Sequence, residues 1–443
     1  MRKFLIFALI LVIVQSCSAQ DARIDELITA YAKQNKFNGS VLVAQNGKIL
    51  LNKGYGLRNA GDSSRNNENS IYQIGSITKQ FTSTVIMKLQ EEKKLDIKDK
   101  LSKYFPAYPH GDSITLIQLM SHTSGVHSYT DDDNFMRNEV SKHYDRERMM
   151  ALFKDKPLDF PPGTKWNYSN SGYMLLGYII EDVTKMSYEK AVRKYIFEKA
   201  GMTHSGFDFT HLQSKNKATG YFMLTATGNT PAPIVDSSVS FSAGAIYSTT
   251  GDLYKWFLAM QSNAIISETS KRSALTPVMN NYGFGWSVDS VAGKKTFGHS
   301  GGIHGFTSNM VSVAEDGTTV IMLSNAGSPH LNQITQNIYA ILYNKPYEVP
   351  RERVATVLPE EILKQYAGIY DLTENLIVHV SVENGKLIGK PEGQGALELH
   401  AEKMDEFFLE EIDARLKFTR NDKNEVTAMT LYQNGREVTG KKR

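Results

Sequence analysis

The sequence has a single cysteine among its 443 residues, which excludes a fold held together by disulfides within the chain. It has no apolar run of about 20 residues, the length that a membrane-spanning helix needs. Lysine and arginine form no block outside the extreme termini, and the formal net charge is only +3. A nucleic-acid-binding surface is therefore not expected. Packing must stabilise the chain, and its hydrophobic share of 41% is that of a soluble globular protein.

The N-terminus has the pattern of an export signal. Two basic residues precede an apolar run from Phe4 to Val14, and small or polar residues follow. The cysteine, Cys17, lies where this run ends, in a stretch that resembles a bacterial lipoprotein box. Residues 1–19 are therefore interpreted as a signal peptide. If Cys17 is lipidated, we expect an exported periplasmic or outer-membrane lipoprotein that contacts the membrane through its anchor. The alternative is cleavage after Ala19, which would discard the cysteine.

The length of the chain predicts at least two structural units, since ordinary domains have about 100 to 200 residues. Asn46-Gly47 separates two apolar runs and predicts a hairpin. Apolar residues four apart from Ile77 to Leu89 predict a helix with one buried face. Strand patterns return between residues 295 and 323. Residues 20–345 are thus expected to form an α/β (α+β) domain, with an antiparallel sheet flanked by helices and a mostly helical subdomain.

A second unit is predicted after a short linker. Two prolines and no apolar period mark residues 346–350 as that linker. Short alternating runs follow, separated by the turn pairs Asn384-Gly385 and Asn434-Gly435. Residues 351–443 are therefore predicted to form a small antiparallel β-domain that resembles a barrel.

Catalytic chemistry is first indicated by residues 76–79, which read Ser-Ile-Thr-Lys. Residues three apart share a helix face, so the Ser76 hydroxyl and the Lys79 amine can lie within hydrogen-bond reach. A serine hydroxyl is a weak nucleophile, and a buried lysine whose pKa is lowered by desolvation can act as its base. The motif is short, however, and a serine at this place is often a simple helix N-cap.

Two further motifs supply complementary groups. Tyr168-Ser169-Asn170 follows a loop rich in proline and glycine, and it offers a phenol that relays protons and an amide that binds substrate. His299-Ser300-Gly301-Gly302 follows a strand pattern, and its glycines allow a substrate backbone to approach closely. A capping turn and a hairpin would explain these motifs one at a time. All three in this order favour a serine-hydrolase site.

With these motifs the sequence resembles the serine β-lactamase and penicillin-binding protein family, specifically its branch of class C β-lactamases, D,D-peptidases and esterase-like serine hydrolases. Further stretches that match the family are His122-Thr123-Ser124-Gly125, Ser242-Ala243-Gly244 and Tyr282-Gly283-Phe284-Gly285-Trp286. The resemblance covers roughly residues 25 to 345. The segment after the linker resembles, less specifically, small β-rich domains appended to such hydrolases.

The resemblance implies a role for each motif residue. Ser76 would be the nucleophile, Lys79 its proton acceptor, and Tyr168 the group that shares this proton and activates the deacylating water. The backbone N–H groups of Ser76 and Gly302 would form the oxyanion hole. The residues expected to bind substrate are Asn170, His299, Ser300 and Gly301.

Neither a metal nor a cofactor is expected. The histidines of the motifs recur five residues apart without an accompanying acidic cluster, so they do not match a known zinc pattern. Trp166 and Trp286 could wall a pocket, although buried aromatic residues more often belong simply to the core.

Two functions remain open from the sequence. The first is a serine hydrolase that cleaves an amide or ester in the bacterial envelope, such as a D-alanyl or D-amino acid peptide, a small ester or a β-lactam. Histidine at position 299, where the family pattern has lysine, is only partly charged near neutral pH and should attract a substrate carboxylate less strongly. This favours peptidase, amidase or esterase substrates over β-lactams. The second function is a catalytically weak penicillin-binding-like protein that acts as a ligand-binding or sensor module.

Overall fold

The computed structural model describes residues 20–225, 228–351, 353–373, 376–409, 414–433 and 436–443. The expected signal peptide with Cys17 and the Asn434-Gly435 turn lie outside the described residues. The chain divides into two compact units between Val349 and Pro350, within the segment interpreted as a linker. No helix among the described residues is long and apolar enough to cross a bilayer.

The first unit combines helices with one main sheet. Its helices are α1 (residues 20–33), α2 (Thr78–Glu91), α3 (Leu116–Met120), α4 (Asp133–Asn138), α5 (Arg146–Ala151), α6 (Asn170–Thr184), α7 (Tyr188–Val192), α8 (Glu198–Ala200), α9 (Ser237–Gly244), α10 (Thr250–Gln261), α11 (Glu268–Ala274) and α12 (Leu331–Leu342). A π-helical turn, Arg193–Phe197, joins α7 to α8. Short 3₁₀ turns occupy Gly75–Ile77, Leu101–Lys103 and Tyr129–Asp131.

The strands of this unit are β1 (Gly39–Gln45), β2 (Lys48–Tyr55), β3 (Leu57–Asn59), β4 (Ser64–Arg65), β5 (Tyr72–Gln73), β6 (Tyr221–Leu224), β7 (Asn229–Pro231), β8 (Tyr247–Ser248), β9 (Ser287–Val291), β10 (Lys294–Ile303), β11 (Phe306–Val313) and β12 (Thr318–Ser324). Six of them form an antiparallel sheet in the order β2-β1-β12-β11-β10-β9. The predicted antiparallel sheet is therefore confirmed, and it takes strands from both ends of the unit. Asn46 and Gly47 both have positive φ at the tip of the β1–β2 hairpin, as the turn pair indicated.

Both faces of this sheet are buried by helices. Val41 and Val43 leave β1 on one side, into a core shared with α1 and α12, whereas Leu42 and Ala44 leave it on the other, into a core shared with α2, α6 and α10. Because side chains alternate along a strand and both faces are covered, four consecutive residues of β1, Val41 to Ala44, are apolar. The helical layer on the second side carries the motif with Ser76 and Lys79.

The second unit is a closed antiparallel barrel, as the sequence predicted. It consists of α13 (Glu360–Tyr366), β13 (Gly368–Thr373), β14 (Leu376–Glu383), β15 (Lys386–Pro391), β16 (Leu397–Lys403), β17 (Glu406–Phe408), β18 (Ala414–Arg420), β19 (Val426–Gln433) and β20 (Arg436–Lys442). Pairing of β13 with β20 closes the ring. Tyr366, Tyr370, Phe407 and Phe418 pack together in its interior. Closure of the ring removes the exposed strand edges that an open sheet would leave.

Candidate active site

Ser76 lies in the 3₁₀ turn that leads into α2. Gly75 precedes it with φ +53°, a conformation that favours glycine. A Cβ atom at position 75 would lie 2.9 Å from the backbone nitrogen of Gly302, so the turn also needs glycine to pass β10. No side-chain capping hydrogen bond forms at the start of this turn or of α2. Ser76 is therefore not an N-cap, the alternative that the motif alone left open.

Lys79 lies on the same helix face and is fully buried. Its Nζ atom is 3.1 Å from Ser76 Oγ, 2.7 Å from Asn170 Oδ1 and 2.8 Å from the carbonyl oxygen of Ala243. Desolvation holds the pKa of Lys79 well below its usual value. Lys79 has no carboxylate partner within ion-pair distance in the described part of the chain.

This arrangement suits a lysine that acts as a base in its neutral form, which the lowered pKa favours. Asn170 Oδ1 and the Ala243 carbonyl can only accept hydrogen bonds, so they take two N–H groups of Lys79. A neutral amine then keeps one lone pair for its third neighbour, the Ser76 hydroxyl. The contacts therefore suit transfer of a proton from Ser76 to Lys79.

The Ala243 carbonyl reaches Lys79 because α9 is interrupted just before it. Phe241 has φ +30° and ψ −129° inside this helix, and the carbonyls that follow turn toward α2. That of Ser242 accepts a 2.6 Å hydrogen bond from Thr82 Oγ1. Residues 242–244 match the family pattern, but nothing in their residue types indicates that a backbone carbonyl here accepts a hydrogen bond from a lysine.

The Tyr168-Ser169-Asn170 motif both caps a helix and reaches the site. Ser169 Oγ accepts a 3.2 Å hydrogen bond from the Gly172 amide and caps α6. Tyr168 is half-buried, but its hydroxyl oxygen is buried and forms no hydrogen bond with another described residue. Burial raises the pKa of Tyr168, an effect that its nearness to Ser76 opposes weakly. Its ring lies 4.8 Å from Lys79 Nζ.

Asn170 has different contacts from those expected. Its Oδ1 accepts from Lys79, and its Nδ2 donates a 3.0 Å hydrogen bond to Thr130 Oγ1. Both ends of the amide thus bind protein groups, and Asn170 is not among the residues that line the cavity described below. In this structure its amide holds the lysine, and its expected contact with substrate stays a prediction.

The four residues of the His299 motif lie on β10, and they alternate in direction. A Cβ atom at Gly301 would lie 2.1 Å from the Ile74 carbonyl oxygen and 2.3 Å from Ser308 Oγ, so this glycine packs against the segment before Ser76. A Cβ atom at Gly302 would have no atom within 4 Å. The close approach that requires glycine is therefore at Gly301, where another segment of the protein, and not a substrate, packs against the strand. Gly302 faces open space beside Ser76.

His299 is buried, and both of its ring nitrogens bind protein groups. Nδ1 donates to the Ser300 carbonyl oxygen, because a carbonyl can only accept. In the neutral ring Nε2 then accepts from the Tyr282 hydroxyl at 2.8 Å. Burial, reinforced by the nearby Lys79, lowers the pKa of His299 to about 3. The expectation of a partly charged histidine at neutral pH was wrong, since the sequence does not show this desolvation.

A cavity of about 380 Å³ brings most of these groups together. It is lined by Ser76, Trp166, Tyr168, Asn280, Tyr282, Ser287, His299, Ser300 and Gly302. Of the two tryptophans considered for a pocket wall, Trp166 therefore contributes, whereas Trp286 stacks on Trp256 in the core. No motif in the sequence indicated Asn280 or Ser287 as residues of the site. None of the lining residues is charged at neutral pH.

His122 supports this wall from behind. Its Nδ1 accepts a 3.1 Å hydrogen bond from the Ser169 amide, which places the proton of the neutral ring on Nε2. The ring lies 4.2 Å from that of Tyr168 and 4.8 Å from that of Tyr282, measured between centroids. Burial and the neighbouring Lys79 hold the pKa of His122 well below its usual value. In the described residues, no group of three histidine, cysteine or acidic side chains could hold a metal ion.

Comparison with known proteins gives independent information. Residues 24–345 match the family described as Beta-lactamase, and residues 352–442 match a domain of unknown function, DUF3471. Penicillin-binding protein 4* of Bacillus subtilis (strain 168) is 28% identical over 438 residues, which are 93% of this chain and 96% of that protein.

Two solved structures are also similar. The octameric penicillin-binding protein homologue from Pyrococcus abyssi has a TM-score of 0.69 and 25% identity, covering 94% of this chain and 99% of that chain. A D-stereospecific amidohydrolase from Streptomyces sp. has a TM-score of 0.60 and 25% identity, covering 71% of this chain and 99% of that chain. The Beta-lactamase match covers well over half of the sequence, and the chain belongs to the β-lactamase family.

Proposed function

We propose that this protein is a serine hydrolase that cleaves an amide or ester through a covalent acyl-enzyme on Ser76. The observation that carries the proposal is the set of contacts around Lys79, which leaves a buried, desolvated amine facing the Ser76 hydroxyl at 3.1 Å. Membership of a generally hydrolytic family supports it. The similarity to an enzyme named as a D-stereospecific amidohydrolase favours an amide bond among the candidates.

Acylation uses the neutral amine as the base. The Ser76 hydroxyl proton moves to Lys79 Nζ while Oγ bonds to the substrate carbonyl carbon. The negative charge that develops on the carbonyl oxygen is stabilised by backbone N–H groups, for which we propose those of Ser76 and Gly302. One such donor typically contributes about 10² to 10³ in kcat. When the bond to the leaving group breaks, that group takes the proton from Lys79, directly or through Tyr168.

Deacylation reverses the roles with water. A water molecule gives a proton to Lys79, directly or through Tyr168, and bonds to the acyl carbon. The bond from this carbon to Ser76 Oγ then breaks, and Oγ takes the proton back. Tyr168 suits this step because its buried hydroxyl makes no hydrogen bond to another described residue. It can therefore serve the reacting oxygen or nitrogen without breaking a contact within the protein.

Covalent labelling tests the proposal. A fluorophosphonate and a fluorescent penicillin should each form an adduct that peptide mass spectrometry locates on Ser76, and Ser76→Ala should abolish the adduct. Ser83→Ala, two turns further along α2, is the matched control and should still be labelled. Labelling followed by release of a hydrolysed acyl group supports the enzyme. A penicilloyl adduct that persists indicates slow deacylation, whereas absence of any Ser76 adduct with either probe would favour the ligand-binding or sensor function.

We also propose that the protein acts in the bacterial envelope. This rests on the sequence of residues 1–19, with Cys17 as the acylated first residue of the mature chain. Mass spectrometry of the N-terminal peptide from the native host tests it. A diacylated Cys17 supports the lipoprotein, whereas a mature chain that begins with unmodified Gln20 contradicts it.

A further inference from the structure

The hydrogen bonds of His299 decide what the cavity can hold. Its Nδ1–H is committed to the Ser300 carbonyl, and its Nε2 accepts from Tyr282. The neutral ring therefore has no N–H group left for a substrate. To donate to a ligand it would have to take up a proton in a buried position and break the bond from Tyr282.

No other residue that lines the cavity supplies a positive charge. The lining set contains no lysine or arginine. The Lys79 side chain, beside Ser76, is fully buried, and its Nζ atom is directed to Asn170, Ala243 and Ser76. Ser300 and Asn280 can donate hydrogen bonds to a ligand, but these are neutral donors.

The aromatic residues make the cavity still less favourable for an anion. Trp166, Tyr168 and Tyr282 line it, and the rings of Trp166 and Tyr282 lie 6.1 Å apart. The faces of aromatic rings carry partial negative charge and attract cations or neutral groups. A carboxylate that enters this cavity would lose water without meeting an opposite charge, which is costly.

We propose that the Tyr282–His299 pair makes this cavity selective for substrates that have no free carboxylate beside the scissile bond. The preferred class is then esters, primary amides and internal peptide bonds, whereas peptides that end in a free C-terminal acid at that bond are disfavoured. The inference rests on the proposed acyl-enzyme function, whose substrate it narrows.

Matched substrate pairs test the inference on the full-length protein. One pair is benzylpenicillin and its methyl ester, compared by the second-order rate constant for acylation of Ser76. The other is acetyl-D-alanyl-D-alanine and its C-terminal carboxamide, compared by kcat/KM for cleavage of the bond between the alanines. In each pair the reacting bond is the same and only the charge differs. We expect the uncharged member to react at least about tenfold faster, the change that 1.4 kcal/mol of desolvation cost would produce.

Substitution of His299 shows which residue sets the preference. His299→Lys introduces a cation and should shift both rate ratios toward the acid by at least about tenfold, whereas the neutral His299→Gln should shift them by less than about threefold. The parent protein alone keeps the test decisive if His299→Lys does not fold. Equal or faster reaction of the free acids in the parent overturns the inference. Fluorophosphonate labelling separates the two proposals. If Ser76 is labelled but free acids react faster, only the proposed selectivity is wrong. If Ser76 is not labelled, the proposed hydrolase function is wrong.

Discussion

Asn170 Oδ1 accepts a 2.7 Å hydrogen bond from Lys79 Nζ, and this contact joins two motifs that lie 91 residues apart in the chain. The acceptor is an uncharged amide, so it orients the amine without stabilising its protonated form. A carboxylate in the same place would bind the lysine more strongly but would favour the ammonium ion, which cannot accept a proton. The amide is thus compatible with a lysine that acts as a base.

Asn170→Asp should therefore lower activity at neutral pH and restore part of it at alkaline pH. The new carboxylate raises the pKa of Lys79, because an adjacent opposite charge typically raises it by about 1 to 3 units. The neutral amine then becomes abundant only at higher pH. We expect kcat/KM to fall about 10- to 100-fold at pH 7, and the rising limb of its pH profile to move upward by at least about one unit.

Asn170→Ala is the control for this shift. It removes the acceptor without adding charge, so it should lower kcat/KM but leave the alkaline limb near its position in the parent. Profiles measured with an uncharged ester from pH 5 to pH 10 distinguish the two variants. Superimposable profiles for Asn170→Asp and Asn170→Ala would show that charge beside Lys79 does not control its protonation.

The two adjacent glycines of β10 should respond differently to the same substitution. Gly301→Ala places a methyl group 2.1 Å from the Ile74 carbonyl, so the backbone must move, at a cost of about 1 to 3 kcal/mol in the free energy of unfolding. Gly302→Ala meets no atom within 4 Å and should change this free energy by no more than about 0.5 kcal/mol. Urea denaturation followed by tryptophan fluorescence measures both.

Labelling rates complete the comparison of the two glycines. Gly301→Ala should slow acylation because displacement of β10 moves Gly302 relative to Ser76. In Gly302→Ala any change comes from a methyl group beside the cavity in a protein of unchanged stability. If Gly301→Ala were as stable as the parent, it would contradict the close contact that we infer between β10 and Ile74.

The sequence predicted those features that depend on local pattern. Residues close together in the chain determine the hairpin at Asn46-Gly47, the apolar stripe of α2 and the spacing of Ser76 and Lys79. The contacts of Lys79 with Ala243 and of His299 with Tyr282 could not be predicted in this way, because they depend on how distant segments pack. The kink at Phe241, which directs the Ala243 carbonyl, likewise has no signature in the sequence.

The same limit explains the error at position 299. A histidine is expected to titrate near neutral pH unless burial or neighbouring charges shift its pKa. Here its surroundings are Tyr282, the Ser300 carbonyl and the aromatic wall, which come together only in the folded chain. Likewise, Gly301 and Gly302 are indistinguishable by residue type, and only the pleat of β10 assigns one to packing and the other to the cavity.

The buried neutral His299 should make the protein less stable in acid. Its pKa is about 3 in the folded protein against an ordinary value of 6.5. Between these values the unfolded chain takes up a proton that the folded chain does not, so stability is lost as the pH falls through this window. The loss is about 1.4 kcal/mol per pH unit, or about 2 kcal/mol between pH 6.5 and pH 5. His122, whose pKa is shifted in the same direction, adds to it.

His299→Gln isolates this contribution, because glutamine does not titrate. The difference in unfolding free energy between the parent and His299→Gln should therefore narrow by about 2 kcal/mol from pH 6.5 to pH 5, and it should be independent of pH above 7. All three tryptophans lie in the unit that ends at Val349, so their fluorescence follows the unfolding of that unit. Parallel pH dependences for the two proteins would mean that His299 is protonated alike in both states.

The division of the chain near Val349 predicts that residues 20–349 fold without the barrel. The sheet and both of its helical layers lie within this range, including α12, which buries Leu331, Ile334, Ile338 and Ile341 against one face. A chain that ends at residue 330 lacks α12 and is the matched control. Burial of one aliphatic side chain contributes about 1.5 to 3 kcal/mol, so deletion of these four removes about 6 to 12 kcal/mol, which is comparable to the 5 to 15 kcal/mol that stabilises a whole domain. We expect residues 20–349 to be monodisperse, to unfold cooperatively and to retain Ser76 labelling, and residues 20–330 to aggregate. Recovery of residues 20–349 only as aggregate would show that the first unit depends on the barrel for its stability.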